Sequence, residues 1–372
     1  MSRKYNCTVH GKPMYRVRAK IGNDLNGKAI FKSFYGDGKV EAEQKRNRYL
    51  EARLHSPSAM SNDSLGKLAD FYTYNILTNT NLAKTTIALY ESQYRLRLKD
   101  SKISILPIAE LSSFDLQSYL NRQNISNSAM SALSKYLKHL FSWLSDQGYC
   151  NNIMDKVIVP SKEQKTDDIS VFTQDEIDRI VNTENRLNLA FRLALSTGLR
   201  LGELLALKYS DISNGIVHVT KQLTELYDID GTGYRERKKI IRKPKSKNST
   251  RIVPLPDRVV EHIEPHLEAH KKEQADNGYS TEYMFTTSSG GFIDRTNFHR
   301  AWQRHLKKAG VDYKKFHTCR STYCTLLCKN GVNIETASKL MGHSSVAVTA
   351  QFYRMIDDDE LTSAACKIND VF

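Results

Sequence analysis

Five residues in the second half of the chain are suited by type and spacing to chemistry on a phosphate ester. They are Arg200 in Ser-Thr-Gly-Leu-Arg-Leu-Gly-Glu, His317 and Arg320 in His-Thr-Cys-Arg, His343 in Leu-Met-Gly-His, and Tyr353 ten positions later. A guanidinium keeps its charge and offers a planar fork to two oxygens. Two arginines and two histidines can therefore hold one phosphate diester and neutralise charge that grows on it. A tyrosine can attack that phosphorus. Phenol ionises near pKa ~10, so attack at neutral pH needs cationic neighbours that stabilise the phenolate and the transition state.

Each position has an ordinary reading when taken alone. Surface Arg–Glu pairs, a chance His-x-x-Arg and a structural histidine are all common, and the chain has 19 tyrosines. The local contexts shift the balance. Gly198 predicts a helix break that projects Arg200, and Glu203 lies one helical turn on, where it can orient or buffer the guanidinium. His317 and Arg320, at i and i+3, present to the same point and open an apolar helix carrying Tyr323, Leu326 and Leu327. Gly342 predicts a second break just before His343, and the ten-residue interval singles out Tyr353.

The elements that must position these residues fall into three segments. Residues 1–55 hold 13 Lys or Arg against 5 Asp or Glu, an outsized share of a net charge of +14. Tyr15–Ile21 and Ala29–Tyr35 alternate as strands around a turn-rich stretch at 22–27, which predicts a hairpin followed by a helix over Val40–Leu54. Arg16, Arg18 and Lys20 share one strand face. Such a face can lie in a nucleic-acid groove or simply be solvated. A Ser-, Pro- and Asn-rich linker covers 56–63.

Residues 64–160 carry helical periodicity, including helices over 111–122 and 128–147, the latter with Leu133, Leu137, Leu140, Phe141 and Leu144 on one face. Lys84, Lys135 and Lys138 are candidate phosphate contacts on these helices, although solvated faces carry such charges routinely. A polar linker covers 161–170. From 171 the pattern opens with a Thr173–Glu176 capping box, followed by a helix from Leu187. Short strands are expected at 216–223, 240–243 and 250–253, and helices thereafter.

The basic balance favours a polyanionic partner. Six cysteines without a Cys-x2-Cys pair argue against a disulfide framework or zinc site, so no metal is expected, and Cys319, Cys324 and Cys328 read as packing residues. No apolar run approaches the roughly 18 residues of a membrane span. A soluble protein of a reducing compartment, the cytoplasm, is the expectation.

Together, the order Arg200, Lys245, His317-x-x-Arg320, Gly-His343, Tyr353 over residues 171–355 resembles the tyrosine recombinases, the family of phage and conjugative-element integrases. The resemblance implies an α+β, multidomain fold. Its parts would be a small sheet-plus-helix arm-type DNA-binding domain (1–55), an all-α, SAM-like core-binding domain (64–160), and a mainly α catalytic domain with a small β-sheet and a C-terminal tail (171–372).

It further implies metal-free, cofactor-free transesterification. Tyr353 would form a 3′-phosphotyrosyl link, His343 would donate a hydrogen bond to a non-bridging oxygen, and a hairpin lysine would protonate the leaving 5′-oxygen. Lys245 aligns with the family's lysine, and Lys247 is the alternative two residues on. Many members carry His two positions after the tyrosine, where this chain has Met355. The implied partners are double-stranded DNA at attachment sites, a homotetramer on two duplexes, and accessory DNA-bending and excision proteins. The tail after Tyr353, partly amphipathic, would dock on a neighbouring protomer or pack on its own domain. Other readings are a chromosome-dimer or inversion recombinase, a type IB topoisomerase, or a DNA-binding regulator without catalysis.

Overall fold

The structure is a computed structural model that describes residues 6–9, 11–23, 29–55, 63–162, 169–244 and 249–353. Lys245, Lys247 and the tail from 354 onwards lie outside the described residues. The chain forms two compact units, residues 1–163 with 226–238, and residues 164–225 with 239–372.

In the first unit, β1 (Cys7–Val9), β2 (Lys12–Asn23) and β3 (Ala29–Gly36) form an antiparallel sheet in that order, followed by α1 (Lys39–His55). The register pairs Val17 with Phe34, Arg18 with Ser33, and Lys20 with Phe31. Successive residues alternate faces, so buried Ala19 and Phe34 share the face that meets α1, where Tyr49 lies 5.1 Å from Phe34. Arg16, Arg18 and Lys20 occupy the opposite face, with Arg18 and Lys20 exposed and Phe31 open beside them. The short β1 strand was not anticipated from the sequence.

The same unit contains α2 (Leu65–Phe71), α3 (Lys84–Gln93), α4 (Ser113–Asn121) and α5 (Asn127–Asp146). The 20-residue α5 buries Leu133, Tyr136, Leu137, Leu140, Phe141 and Leu144, an apolar stripe at helical spacing. Tyr136 reaches Thr73 through a buried 2.9 Å hydrogen bond, which satisfies both hydroxyls. Ser112 and Asp115 cap α4 reciprocally.

Residues 226–238, the tip of a hairpin, also belong to this unit. Fully buried Glu91 on α3 accepts from Arg95 Nε at 2.9 Å and pairs with Arg235 Nε at 3.3 Å, while the Arg235 guanidinium sits 4.2 Å above the Tyr227 ring.

The second unit runs α6 (Gln174–Asn182), α7 (Asn188–Thr197), α8 (Leu201–Leu204), β4 (Ile212–Ser213), β5 (Ile216–Val219), the base of the hairpin β6 (Gln222–Ile229) and β7 (Arg235–Arg242), whose residues 226–238 belong to the first unit, and β8 (Arg251–Pro254). It continues with α9 (Asp257–Val260), α10 (Ile263–Asn277), α11 (Arg295–Lys308), α12 (Thr318–Lys329), α13 (Ile334–Met341) and α14 (Val346–Tyr353). The expected capping box starts α6, with Thr173 and Glu176 bonded reciprocally. An aromatic core of Phe191, Phe298, Trp302 and Phe316, with centroids 4.7–5.9 Å apart between Phe298 and Phe316, Phe191 and Trp302, Trp302 and Phe316, and Phe191 and Phe298, joins α7 to α11. The sheet order is β4-β5-β8, with Val217 opposite Val253.

The strands differ from the sequence expectation in one respect. The run read as 216–223 ends at Val219, and a separate hairpin, β6 with β7, extends to Ile229 and resumes at Arg235. Its turn is closed by Asp230, whose carboxylate accepts from the Thr232 amide, the Thr232 hydroxyl and the Tyr234 amide. The charged run Arg235–Lys239 has no apolar alternation, so periodicity could not reveal a strand there. Among the described residues, no helix is long and apolar enough to cross a membrane.

Candidate active site

Three loops and helix ends of the second unit bring Arg200, Arg320 and His343 together. Helix α7 ends at Gly198 in a left-handed cap, φ +61°, and the chain leaves through Leu199 so that Arg200 precedes α8. A Cβ at Gly198 would meet the Tyr323 ring at 2.8 Å and the Met341 sulfur at 3.1 Å, so both the backbone conformation and the space require glycine. Two residues past Arg200, Gly202 lets α8 approach β6, because a Cβ there would lie 2.6 Å from the Leu223 carbonyl oxygen.

Arg200 spans two partners. Its Nη1 donates to Glu203 Oε1 at 2.8 Å and its Nη2 to the Gly342 carbonyl at 2.8 Å, while Glu203 Oε2 accepts from the Arg200 amide at 3.0 Å. Arg320, on the first turn of α12, is buried; its Nη1 donates to the Gly198 carbonyl at 2.6 Å and its Nη2 to the Met341 carbonyl. A third arginine joins them. Arg251, at the start of β8, donates from Nη2 to Glu203 Oε2 at 2.9 Å, from Nη1 to Glu203 Oε1 at 3.2 Å, and from Nε to the Leu340 carbonyl at 2.7 Å.

The last carbonyls of α13 thus accept from three different guanidiniums: Leu340 from Arg251, Met341 from Arg320, and Gly342 from Arg200. These are the groups a helix leaves unpaired at its C-terminus, where its dipole is negative, so cations there are favoured. The arrangement explains how three arginines sit side by side. It does not neutralise them, because among the described residues the single carboxylate bonded to any of the three is that of Glu203.

The electrostatics match. Burial alone would raise the Glu203 carboxyl, but the hydrogen bonds and charge of Arg251, then the Arg200 amide and charge, hold it below its ordinary value. Burial, followed by the charges of Arg200 and Arg251, pushes the Arg320 guanidinium down to about 9, still cationic at neutral pH. Burial and then Arg320, Arg200 and Arg251 push His343 down to about 4. His317 is open to solvent on one side, yet the protein around its ring, then Arg320, Arg200 and Arg295, lower it too. Both imidazoles are therefore neutral at pH 7. Surplus guanidinium beside neutral imidazoles is an environment that favours an anion.

His343 Nδ1 lies 2.8 Å from the buried Thr349 hydroxyl. When that hydroxyl donates, Nε2 carries the proton and can donate outward. Thr349 belongs to α14, whose last residue is Tyr353. A small cluster of Cys324, Cys328 and Met341, with Tyr323 and Phe352 packed against it, fixes α12, α13 and α14 to one another. The cysteines of α12 are packing residues, with burial pushing the Cys324 thiol up to about 12.

Two clefts of this unit, of about 340 and 520 Å³, lie elsewhere and are not lined by the three arginines. Sequence reasoning gave no role to Arg251 or Thr349. The available signal for Arg251 was alternation: Val253 and Leu255 are apolar inward positions, which turns Arg251 inward as well.

The other candidates stand apart from this cluster. Lys84 is exposed and pairs with Asp228 at 2.6 Å, and Lys135 and Lys138 lie on the exposed face of α5.

A mainly helical α+β unit that gathers three arginines and two neutral histidines next to a helix ending in tyrosine defines a class of phosphodiester-transferring enzymes. The sequence pattern of the Phage integrase family matches residues 170–360. A protein described as tyrosine recombinase XerC-like, from Caldanaerobacter subterraneus subsp. tengcongensis, is 34% identical over the full length of both chains. The chain belongs to this family, the tyrosine recombinases, enzymes that cleave and rejoin DNA.

Among solved structures, the Tn1549 transposon integrase in complex with a circular intermediate DNA has a similar fold, with TM-score 0.62 at 20% identity over 82% of this chain and 99% of its own. A lambda integrase tetramer bound to a Holliday junction gives TM-score 0.53 at 19% identity, covering 93% and 94%.

Proposed function

We propose that the protein is an integrase that inserts and excises a phage or other mobile element by site-specific recombination. The observation that carries this reading is the triple-arginine end of α13, which leaves net positive charge and neutral imidazoles beside the helix that ends in Tyr353.

In this reading the two non-bridging oxygens of the scissile phosphate lie against Arg200 and Arg320, and His343 Nε2 and His317 donate further hydrogen bonds to those same oxygens. The Tyr353 phenolate oxygen attacks phosphorus, the bond to the 5′-oxygen breaks, and a proton from Lys245 or Lys247 converts that oxygen to a hydroxyl. The phosphodiester becomes a 3′-phosphotyrosyl ester, and attack by a 5′-hydroxyl from the partner duplex reverses the step. Bond energy stays in the covalent link, so no ATP enters. Fixed positive charge supplies the stabilisation that the pentacovalent transition state needs.

The same proposal assigns residues 1–55 to arm-type DNA contact through the Arg16, Arg18 and Lys20 face, and 64–160 to a helical clamp using Lys84, Lys135 and Lys138. The Lys84–Asp228 pair is surface-exposed, so exchanging it for a phosphate contact costs little. Assembly as four protomers on two duplexes is supported by the similar fold of the lambda integrase tetramer. A second reading, a chromosome-dimer recombinase, is favoured by the full-length XerC-like relative.

A nicked suicide duplex tests the chemistry. The parent is expected to give a covalent protein–DNA band, and Tyr353→Phe to bind DNA without one; an adduct trapped by that variant rules out the nucleophile. A plasmid carrying the ends of the flanking element separates the two readings, because an integrase joins unlike sites and a dimer-resolving recombinase resolves like ones.

A further inference from the structure

Arg251 sits at the hub of the site while its own geometry keeps it from the substrate. Its side chain is 5% exposed and that of Glu203 1%, against 36% for Arg200. Each of its three nitrogens bonds inward: the fork to both Glu203 oxygens, and further bonds to the Leu340 and Ser249 carbonyls. Glu203 in turn holds Arg200 through Nη1 and the backbone amide. Leu340 lies three residues before His343, at the end of the helix whose terminal carbonyl holds Arg200 Nη2. Among the described residues, Arg251 is therefore the one side chain that bridges both supports of Arg200, the Glu203 carboxylate and the end of α13. Its strand is tied to the sheet by pairing with Val219.

We propose that Arg251 is a positioning residue for DNA cleavage: by bracing Glu203 against the end of α13 it sets where Arg200 and His343 meet the phosphate. The inference rests on the reading that Arg200, Arg320 and His343 receive the scissile phosphate. A planar fork is required for the role, since an ammonium cannot bond both Glu203 oxygens and the Leu340 carbonyl at these angles. Loosening such a brace misplaces groups that touch the substrate without removing them, which acts on the chemical step more than on binding.

Among the described residues, the charged groups facing Glu203 are Arg200 just before α8, Arg251 on β8 and Arg320 on α12. With Arg251 gone, burial is opposed by Arg200 and the more distant Arg320 only, and Glu203 takes up a proton more readily. A protonated Glu203 no longer accepts the full set of bonds from Arg200, so cleavage should recover as rising pH ionises the carboxyl.

The test uses the full chain and a nicked suicide duplex carrying the recombination site recovered from DNA flanking the gene. Covalent-complex formation at saturating DNA, DNA affinity and the thermal midpoint are measured from pH 6 to 9 for the parent, Arg251→Met, Arg251→Lys, Arg200→Ala and Arg251→Met with Glu203→Gln. Arg251→Met is expected to slow cleavage about 10²-fold at pH 7 with affinity within about threefold, in line with the cost of misplacing catalytic groups.

Its rate should climb with pH along a limb the parent lacks, and Glu203→Gln should flatten that limb. Arg251→Lys should be intermediate in rate; it carries the test alone should Arg251→Met fail to fold, and a parental rate there overturns the role. Arg251→Met cleaving at the parental rate, or slowing in parallel with the parent at every pH, likewise overturns the positioning role and leaves the phosphate site standing. Normal cleavage by Arg200→Ala would instead overturn the site assignment beneath it.

Discussion

Two buried glutamates divide this molecule instructively. Glu91 in the first unit and Glu203 in the second are both inaccessible, and each is bracketed by two arginines. Around Glu91 the charges are absorbed by structure. Arg95 is one helical turn away, Arg235 lies over the Tyr227 ring, and Tyr74 adds a hydroxyl at 3.4 Å. Around Glu203 a third guanidinium, Arg320, stands nearby with no carboxylate among the described residues bonded to it, and two imidazoles are held neutral. A buried Glu–Arg network is thus no signature of chemistry. Surplus positive charge, anchored on backbone carbonyls so that it cannot relax, is what distinguishes a site from a brace.

The largest effect expected from this contrast is on rate. Arg200→Ala should reduce single-turnover DNA cleavage by about 10²–10³-fold, the usual cost of removing one donor to a developing oxyanion. Retention of the parental rate would erase the distinction between the two networks. Next, Glu203→Gln should lower stability by about 3–5 kcal/mol, because it leaves the buried Arg251 guanidinium without its carboxylate, and Glu91→Gln should cost less, because Arg95 and Arg235 are partly exposed. Denaturant unfolding measures that loss. Only Glu203→Gln should also slow cleavage by the protein that remains folded; equal slowing by Glu91→Gln would break the comparison.

The pH dependence sharpens it further. His343 is depressed to about 4 in the folded protein, below the ~6.5 of an unfolded chain. On acidification the unfolded state binds the proton first, so the stabilising contribution is full above pH ~6.5 and is lost as pH falls towards 4. Thermal midpoints of the parent and His343→Asn should diverge across that window, with the parent falling more steeply, whereas parallel curves would show that the imidazole is not held neutral. The smallest effect is expected at the surface: Lys84→Ala, which breaks an exposed pair with Asp228, should change stability by about 0–1 kcal/mol in denaturant unfolding.

Much of the fold was legible locally. The apolar stripe of α5, expected at 128–147 and found at Asn127–Asp146, follows from helical period. The Thr173–Glu176 box starting α6 follows from side chains three residues apart. The β6–β7 hairpin escaped because its second strand is nearly all charge.

The site divides along the same line. Arg200, His317, Arg320 and His343 were visible because glycine breaks and helix starts mark where side chains leave their elements. Arg251 was not, since Glu203 lies 48 positions before it and Leu340 89 positions after.

By itself the sequence determined which residue types are present that could handle a phosphate, the order in which they occur, and the helix ends that would present them. Only the tertiary structure decided that the end of α13 is where they converge, with one carbonyl for each of three arginines, and that Glu203 is shared rather than owned by Arg200. Periodicity and capping act over a few residues and can be read along a chain. The sharing of a buried carboxylate and a helix terminus is settled by which distant elements pack together, and no local pattern encodes that.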